Sequence, residues 1–334
     1  MDTAVSTEQQ PHEIVWGITN AVVASRALHV VADLGVADHI AGEPVSAGEL
    51  AERCGAHPDA LDRVLRLLAT MGIFEAVDGG FGHTPASELL RSDHPMSMRG
   101  FPRMMNLPGM AATFAHLDYA VRTGAPAVEK VHPGGFWGYL QERPDEAVIF
   151  GQAMQARAMA DIAAILGAYD FARFATIADI GGGRGHLLRA VLEAAPAAHG
   201  VLFDLPDVVA ALDFEHERLT GHGGDFFADA LPRADAYVLM EVLHDWADAE
   251  CLSILSAIRR AAEPGGTVLV IENVLAEGRP DPRGRTLDIV MLAVTGGRER
   301  TVSELSELLQ PAGFTAGRII ETAGPMSIVE ATAV

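Results

Sequence analysis

From about residue 174 onward, short runs rich in β-branched residues alternate with helical stretches. The predicted elements in this half of the chain are, in order, strand 176–180, helix 184–194, strand 201–205, helix 208–212, strand 236–240, helix 248–262, strand 267–274 and helix 302–309. Two further runs, 318–321 and 326–331, predict a closing antiparallel pair. Because strands that alternate with helices form a mainly parallel sheet, we predict a doubly wound α/β domain that binds its ligand beyond the carboxyl ends of its strands.

The first 170 residues have a mainly helical pattern. A helix is predicted over 18–34, and Ser46 with Glu49 is typical of a capping box that opens a second helix ending near residue 55. Apolar residues at helical spacing around Leu65 predict a third helix, and residues 73–84 predict a small hairpin. This order is typical of a winged-helix unit. We therefore expect three parts: a winged-helix-like unit at 1–100, a helical connector at 101–170 and an α/β domain at 171–334.

Charge argues against DNA binding by this unit. Residues 43–90 contain three arginines against eight acidic side chains, a balance of −5, and the whole chain carries a formal net charge of −21. Such a chain repels phosphate backbones and anionic membranes, so neither nucleic acid nor a membrane is an expected partner.

Other classes are disfavoured by the cysteines and the amino-terminal sequence. Cys54 and Cys251 are the two cysteines and are far apart, which predicts neither a disulfide framework nor a zinc cage. The polar, acidic first residues do not resemble a signal peptide, and charged or amide side chains interrupt the longest apolar stretch, 148–166. We expect a cytoplasmic protein without a metal.

A glycine-rich segment, Gly-Gly-Gly-Arg-Gly at 181–185, joins the first predicted strand of the α/β domain to its helix. Glycines let a backbone approach a ligand closely, and the following helix offers free N–H groups. A dinucleotide loop requires Gly-x-Gly-x-x-Gly, but the sixth position is His186 counted from Gly181 and Leu188 counted from Gly183. The spacing therefore argues against NAD or FAD.

Acidic residues follow the glycine segment at intervals that suit a nucleoside. Asp204 ends the next predicted strand, where a carboxylate accepts hydrogen bonds from a ribose diol. Asp225 and Phe226 provide an acceptor for an exocyclic amine and a ring for a purine. The alternatives are that Asp204 is a helix N-cap and that Asp225 only forms a turn. Together these residues predict a nucleoside site without a phosphate cradle, which suits S-adenosylmethionine (SAM).

Six ordered motifs resemble those of the SAM-dependent O-methyltransferases of the plant caffeate and bacterial secondary-metabolite type. They are DIGGGRG at 179–185, FDLP at 203–206, GGDFF at 223–227, EVLHDW at 241–246, VIE at 270–272 and GGRERT at 296–301. The resemblance covers about residues 15–330. It implies a Rossmann-like catalytic domain, an amino-terminal unit that forms an intertwined homodimer, and a small hydroxylated aromatic substrate.

The resemblance also implies roles for individual residues. His244 would be the general base, flanked by Glu272 and Glu299. The residues implied to bind SAM are Gly181, Gly183, Asp204, Leu205, Gly224, Asp225, Phe226, Phe227, Met240 and Trp246. Those implied to line the substrate pocket are Phe150, Met154, Met291 and Asp245.

The chemistry of methylation explains why such residues are needed. A phenol with a pKa near 10 is mostly protonated at neutral pH, and histidine is suited to accept its proton. A carboxylate such as Glu272 behind the imidazole would fix its tautomer and stabilise the imidazolium. The alternatives are a structural His244, a surface ion pair for Glu299 and a capping or orienting role for Asp245.

The sequence departs from the plant pattern at two places. Met240 stands where plant members often have a lysine, and the stretch 288–299 is one residue shorter. We therefore predict O-methylation of an aromatic or polyketide-like hydroxyl, with a substrate pocket unlike that of the phenylpropanoid enzymes. The alternative is a SAM-binding protein with a different acceptor atom or no methyl transfer.

Overall fold

The computed structural model describes residues 10–212 and 216–334. The chain divides into two compact units. The first contains residues up to Pro108 together with Asp145–Ala156, and the second contains Gly109–Pro144 and Arg157–Val334. The three-part division at residues 100 and 170 stays a prediction.

The first unit has the helix, helix, helix, hairpin order that the sequence predicts. Its elements are α1 (Pro11–Leu34), a 3₁₀ turn (Val36–His39), α2 (Ala47–Cys54), α3 (Pro58–Thr70), β1 (Phe74–Val77), β2 (Gly80–His83), α4 (Pro85–Glu88) and α5 (Gly100–Met105). The predicted capping box is present, since Ser46 and Glu49 bond reciprocally at the start of α2. Leu50, Leu65 and Phe81 are buried in its core.

Helix α1 begins seven residues earlier than predicted and has an exposed apolar surface. Ile14, Trp16, Ile18 and Val22 are among its solvent-exposed side chains. Within the described residues α1 is the one helix that is long and apolar enough to cross a membrane. Length and composition alone do not distinguish such a span from a helix that packs against protein.

Helices precede the sheet of the second unit. They are α6 (Pro108–Ala115), α7 (Leu117–Thr123), a 3₁₀ turn (Ala127–Lys130), α8 (Gly135–Gln141), α9 (Pro144–Ala168) and a 3₁₀ turn (Phe171–Arg173). The long helix α9 contributes residues to both units, and its last turns, from Arg157, belong to the second.

The sheet region then alternates strands and helices. Its elements are β3 (Thr176–Ile180), α10 (His186–Ala194), β4 (His199–Asp204), α11 (Pro206–Ala210), β5 (Leu219–Gly223), β6 (Ala236–Met240), a 3₁₀ turn (Leu243–Asp245), α12 (Asp248–Ala261), β7 (Thr267–Glu272), α13 (Pro282–Val294), α14 (Val302–Leu309), β8 (Phe314–Glu321) and β9 (Ser327–Ala333). The strand order is β5-β4-β3-β6-β7-β9-β8. The first five are parallel, and β9 is antiparallel to both neighbours, which confirms the predicted fold class.

Both faces of this sheet are covered by apolar side chains. Alternate residues of β3 point to opposite sides, with Ile177 in one core cluster and Ile180 in the other. The carboxyl ends of β4, β3, β6 and β7 meet along one edge. That edge holds Asp204, Gly181, Glu241 and Glu272, and it positions the site described next.

Candidate active site

The glycine segment and Asp204 are joined by a hydrogen bond across neighbouring strand ends. The backbone N–H of Gly183 donates to Asp204 Oδ2 at 2.8 Å, and Leu205 donates to Oδ1 at 2.7 Å. Asp204 is therefore not the N-cap of α11, since that position belongs to Leu205. Burial raises the pKa of Asp204, and the hydrogen bonds from the two backbone N–H groups offset only part of this rise. Its carboxylate oxygens keep further lone pairs, which suits a diol.

Gly181 has a positive φ of 71°, and a Cβ at this position would lie 3.0 Å from a methyl of Val242 and 3.9 Å from the Phe226 ring. The backbone turn and the close approach of these two side chains both favour glycine here. The glycine segment thus packs directly against the residues that follow β6.

An aromatic cluster flanks this segment. Phe226 and Phe227 meet Trp246 edge-to-face, with ring centroids 5.9 and 4.7 Å away respectively. Asp225 precedes them in an exposed turn, where its Oδ1 accepts from the N–H of Phe227. Gly224 is buried, and a Cβ at this position would lie 2.8 Å from the Phe203 ring. The rings of Phe226, Phe227 and Trp246 therefore provide an aromatic surface near Asp225 against which a planar base can pack.

His244 is buried in the 3₁₀ turn after β6, and Glu299 hydrogen-bonds its ring. Nδ1 lies 2.9 Å from Glu299 Oε1, and the Glu299 side chain has no exposed surface. Because an ionised carboxylate only accepts, Nδ1 carries the hydrogen and Nε2 of the neutral ring has a lone pair. The surface ion pair that was one interpretation of Glu299 is wrong.

Glu272 and Asp245 stand further from the ring. Glu272 Oε2 is 3.7 Å from Nδ1, while its Oε1 accepts from the N–H of Leu243. The carboxylate bonded to the imidazole is therefore Glu299 rather than Glu272. Asp245 Oδ1 lies 3.8 Å from Nε2, and Asp245 does not cap α12, whose N-cap is Ala247.

These carboxylates change the proton affinity of the cluster. Burial disfavours the imidazolium, but Glu272, Asp245 and the bond to Glu299 outweigh it and raise the pKa of His244 to about 10. Burial raises the pKa of Glu272 to about 7, although the charge of His244 opposes the rise. The group therefore shares protons as one coupled unit.

A clamp around the His244 turn was not foreseen from the sequence. Arg300, almost fully buried, donates to the carbonyl oxygens of Leu243 at 2.9 Å and Trp246 at 2.8 Å, at the two ends of this turn. Next to it, Gly297 lies where a Cβ would overlap the His244 carbonyl. Both residues lie in the predicted GGRERT motif, but the motif alone did not indicate this packing.

The remaining predicted residues are distributed between the units. Met240 is the half-buried last residue of β6, and Met291 is buried in α13. Phe150 and Met154 lie on the part of α9 that belongs to the first unit. Their roles in a substrate pocket stay predictions.

One edge of the parallel sheet holds a glycine turn, the carboxylate of Asp204 and a carboxylate-bonded histidine, an arrangement that fits a nucleoside-dependent transferase. Two family models match the chain: an O-methyltransferase domain over residues 114–315 and an O-methyltransferase dimerisation domain over residues 16–93. The chain belongs to this O-methyltransferase family, and it is a SAM-dependent methyltransferase.

Relatives and solved structures agree with this assignment. A phenazine O-methyltransferase of Lysobacter antibioticus is 38% identical, with 92% of each chain covered. An 8-amino-8-demethylriboflavin N,N-dimethyltransferase of Streptomyces davaonensis is also 38% identical, covering 86% of this chain and 85% of the relative. A crystal structure of an O-methyltransferase from neocarzinostatin biosynthesis, in complex with SAM and 2-hydroxy-5-methyl naphthoic acid, has a TM-score of 0.77 and 37% identity, with 93% and 96% covered.

The residues present fit SAM. Asp204 offers a partly buried carboxylate to a ribose, and the rings of Phe226, Phe227 and Trp246 offer aromatic surface to an adenine. The acidic side chains around His244 also favour a sulfonium cation over a phosphorylated group.

Proposed function

We propose that this protein transfers a methyl group from SAM to a hydroxyl of a small aromatic or polyketide-like molecule, with His244 as the general base. The observation that carries the proposal is the bond between His244 Nδ1 and the buried Glu299 at 2.9 Å. In the neutral form of the ring, which becomes the major form only above the raised pKa of His244, this bond leaves Nε2 as the nitrogen that can take a proton from an acceptor.

In the mechanism we propose, Nε2 of His244 accepts the hydroxyl proton as the oxygen becomes a nucleophile. Glu299 holds the ring in the required tautomer, and with Glu272 it stabilises the imidazolium that forms. When bound, SAM supplies an activated methyl group and leaves as a neutral thioether, so no side chain has to protonate the leaving group. Proton abstraction of this kind contributes roughly 10²–10⁴-fold to the rate.

The raised pKa of His244 supports a phenolic acceptor. The surrounding carboxylates raise the pKa of His244 toward the ordinary pKa of a phenol, which lowers the free-energy cost of moving a proton between the two. A less acidic alcohol would hold its proton far more strongly than the imidazole.

The contacts with SAM are proposed to lie along the glycine-rich segment 181–185 and the neighbouring carboxyl ends of the strands. Gly181 and Gly183 allow the cofactor to approach the backbone closely. Asp204 and Leu205 contact the ribose, and Met240 contacts the cofactor through its backbone. Gly224, Asp225, Phe226, Phe227 and Trp246 are proposed to meet the adenine. Met291 and Asp245 are proposed to line the acceptor pocket.

A nitrogen acceptor is the second candidate. The observation that favours it is the similarity to the riboflavin N,N-dimethyltransferase, which has the same 38% identity to this chain as the phenazine O-methyltransferase, over a shorter matched region. An arylamine needs no deprotonation before attack, so this candidate does not require His244 as a base.

We also propose a cytoplasmic homodimer in which the exposed apolar side of α1 packs against a second copy. The dimerisation family model covers most of this helix, and Trp16, Ile18 and Val22 are exposed in the single chain. Sedimentation of the full chain tests this, and a monomer at micromolar concentration would contradict it.

The direct test is incubation with labelled SAM and matched phenols and arylamines. We expect methyl on oxygen, and a His244→Gln variant that binds S-adenosylhomocysteine (SAH) normally but turns over at least about 100-fold more slowly. Full turnover by that variant would remove the proposed base, and methylation of amines alone would favour the second candidate.

A further inference from the structure

The cluster of His244, Glu272 and Glu299 has the donor set of a metal site. One ligand atom from each side chain, an imidazole nitrogen or a carboxylate oxygen, lies within 4.8 Å of the other two. All three residues are buried, with 6%, 4% and 1% of their surface exposed. Within the described residues no other group of histidine, cysteine and acidic side chains meets this geometry. The mechanism above uses these side chains only for proton transfer.

Two carboxylate oxygens in this cluster have no donor. Glu272 accepts from the N–H of Leu243 through Oε1, and its Oε2 has no hydrogen-bond partner among the described residues. Glu299 bonds the His244 ring through Oε1, and its Oε2 is likewise without a described partner. Glu272 Oε2 lies 3.7 Å from His244 Nδ1, which is too far for a hydrogen bond. Buried oxygens of this kind are costly unless a proton, a donor or a cation reaches them.

The distances between these atoms suit a small cation. Zn²⁺ binds nitrogen at about 2.0–2.1 Å and carboxylate oxygen at about 2.0–2.2 Å, so two ligands at a tetrahedral angle are about 3.4 Å apart. Nδ1 of His244 is 2.9 Å from Glu299 Oε1 and 3.7 Å from Glu272 Oε2, one distance below this value and one above it. A cation can therefore contact all three side chains after small shifts of those side chains.

The charge and the backbone support of the cluster also favour a divalent ion. Two ionised carboxylates beside a neutral imidazole carry two negative charges, which one divalent ion neutralises. Glu272 is the last residue of β7, and His244 lies in the 3₁₀ turn after β6. Arg300 holds the two ends of that turn through the carbonyl oxygens of Leu243 and Trp246. Ligands on such fixed elements lose little conformational freedom when they bind a metal.

We propose that His244, Glu272 and Glu299 also form an inhibitory site for a divalent transition-metal ion, with Zn²⁺ as the ion that fits best. Imidazole nitrogen and carboxylate oxygen are both ligands of zinc in proteins. Three protein ligands are the number found in zinc sites that keep the fourth position open. The ion is an inhibitor here and not a cofactor, because methyl transfer from SAM does not require it.

Inhibition follows from the nitrogen that binds the ion. Nδ1 of His244 carries the hydrogen in the ring that is bonded to Glu299. The ion takes the place of this hydrogen, so an imidazolium releases its Nδ1 proton to solvent and a neutral ring moves its one hydrogen to Nε2. In both cases Nε2 carries a hydrogen and cannot accept another from a phenol. The site itself is independent of the proposed function, whereas its inhibitory effect rests on His244 as the base.

The experiment adds Co²⁺, a coloured substitute for Zn²⁺, to the full-length chain after dialysis against a chelator and then against metal-free buffer. One equivalent should give the visible absorption of a tetrahedral ion with nitrogen and oxygen ligands, and one equivalent of Zn²⁺ should remove it. Glu272→Gln and Glu299→Gln each replace a carboxylate ligand with a neutral amide of the same shape. We expect the Zn²⁺ affinity, measured by calorimetry, to fall at least about 10-fold in each variant.

His132→Gln is the matched control, because His132 Nε2 and Glu142 Oε2, 3.1 Å apart, form a histidine–carboxylate pair outside the cluster. It should leave the Co²⁺ spectrum and the Zn²⁺ affinity unchanged. The absence of a tetrahedral spectrum in the parent protein, or equal Zn²⁺ affinity in the parent and both glutamine variants, would overturn the proposal. If Glu299→Gln does not fold, Glu272→Gln decides.

Turnover separates the metal site from the proposed function. With a phenol that the parent enzyme methylates, one equivalent of Zn²⁺ should stop turnover, and excess EDTA should restore it. Equal inhibition of the parent and of Glu272→Gln would place the inhibiting ion elsewhere and overturn the proposal. Full turnover with the site filled, as shown by the Co²⁺ spectrum, would remove His244 as the base and leave the metal site in place.

Discussion

Replacing Glu299 with glutamine removes one charge at the centre of the site and keeps its shape. The amide can still accept from His244 Nδ1, now without the attraction of a carboxylate 2.9 Å from an imidazolium. Two unit charges 4 Å apart interact by about 4 kcal/mol at an effective dielectric of about 20, and a hydrogen bond to a charged group contributes about 1.5–3 kcal/mol net. We take about 2 kcal/mol as the loss of imidazolium stabilisation.

The loss of the Glu299 charge changes the pKa of His244 in a defined direction. Removing an anion destabilises the charged ring, so the pKa of His244 falls from about 10 by about 1.5 units. Below this pKa the ring is protonated in the free enzyme, so kcat/KM rises with pH until the pKa is reached. In Glu299→Gln the rise of kcat/KM should therefore end at a pH about 1.5 units lower than in the parent enzyme. The plateau value of kcat/KM should be about 10- to 30-fold lower, because the imidazolium forms less easily.

The assay is kcat/KM from pH 6 to 10.5 with a phenol that the parent enzyme methylates. Glu307→Gln, an exposed carboxylate on α14, is the matched control and should leave the profile unchanged. A rise that ends at the same pH in Glu299→Gln and in the parent would refute the assigned coupling between Glu299 and the base.

Three further substitutions and the removal of metal ions have defined expected outcomes. Arg300→Met removes the buried guanidinium that donates to the Leu243 and Trp246 carbonyls, which keep the weaker Cys251 thiol as a donor, and should lower the free energy of unfolding by about 3 kcal/mol, measured by urea titration. Asp204→Asn should weaken SAH about 10-fold by calorimetry. Burial raises the pKa of Asp179 to about 7, with Asp204 adding to the rise, so the folded chain binds the proton more tightly than the unfolded chain and stability falls as pH rises from about 4 to 7. Glu272 contributes in the same direction, so Asp179→Asn should make the fall in Tm over this range smaller. Turnover should persist in excess EDTA, although His244, Glu272 and Glu299 each place a ligand atom within 4.8 Å of the others.

Most of the sheet was predictable because its strands are apolar and its turns contain glycine. Strand 176–180 and strand 236–240 have the predicted bounds. Strand β5, Leu219–Gly223, was missed because its residues are mostly exposed and small or polar at the edge of the sheet. Helix α13 was missed since Gly284 disfavours a helix interior and Pro282, although suited to a first helical turn, is also typical of loops.

The site was predictable as a set of residues and less so as a set of contacts. Arg298, Glu299 and Arg300 are consecutive charges that look alike in the sequence, but the first is exposed and the other two are buried. Which of them faces His244 depends on the packing of Gly297 against the His244 carbonyl, a long-range contact that local spacing does not encode.

A crystal structure with SAH and a methylatable phenol would test the central claim most directly. We predict that the phenol oxygen lies about 3 Å from Nε2 of His244 and faces the sulfur of SAH, on the side of the ring opposite Glu299. A phenol oxygen held by other side chains, with Nε2 of His244 out of hydrogen-bond reach, would contradict it.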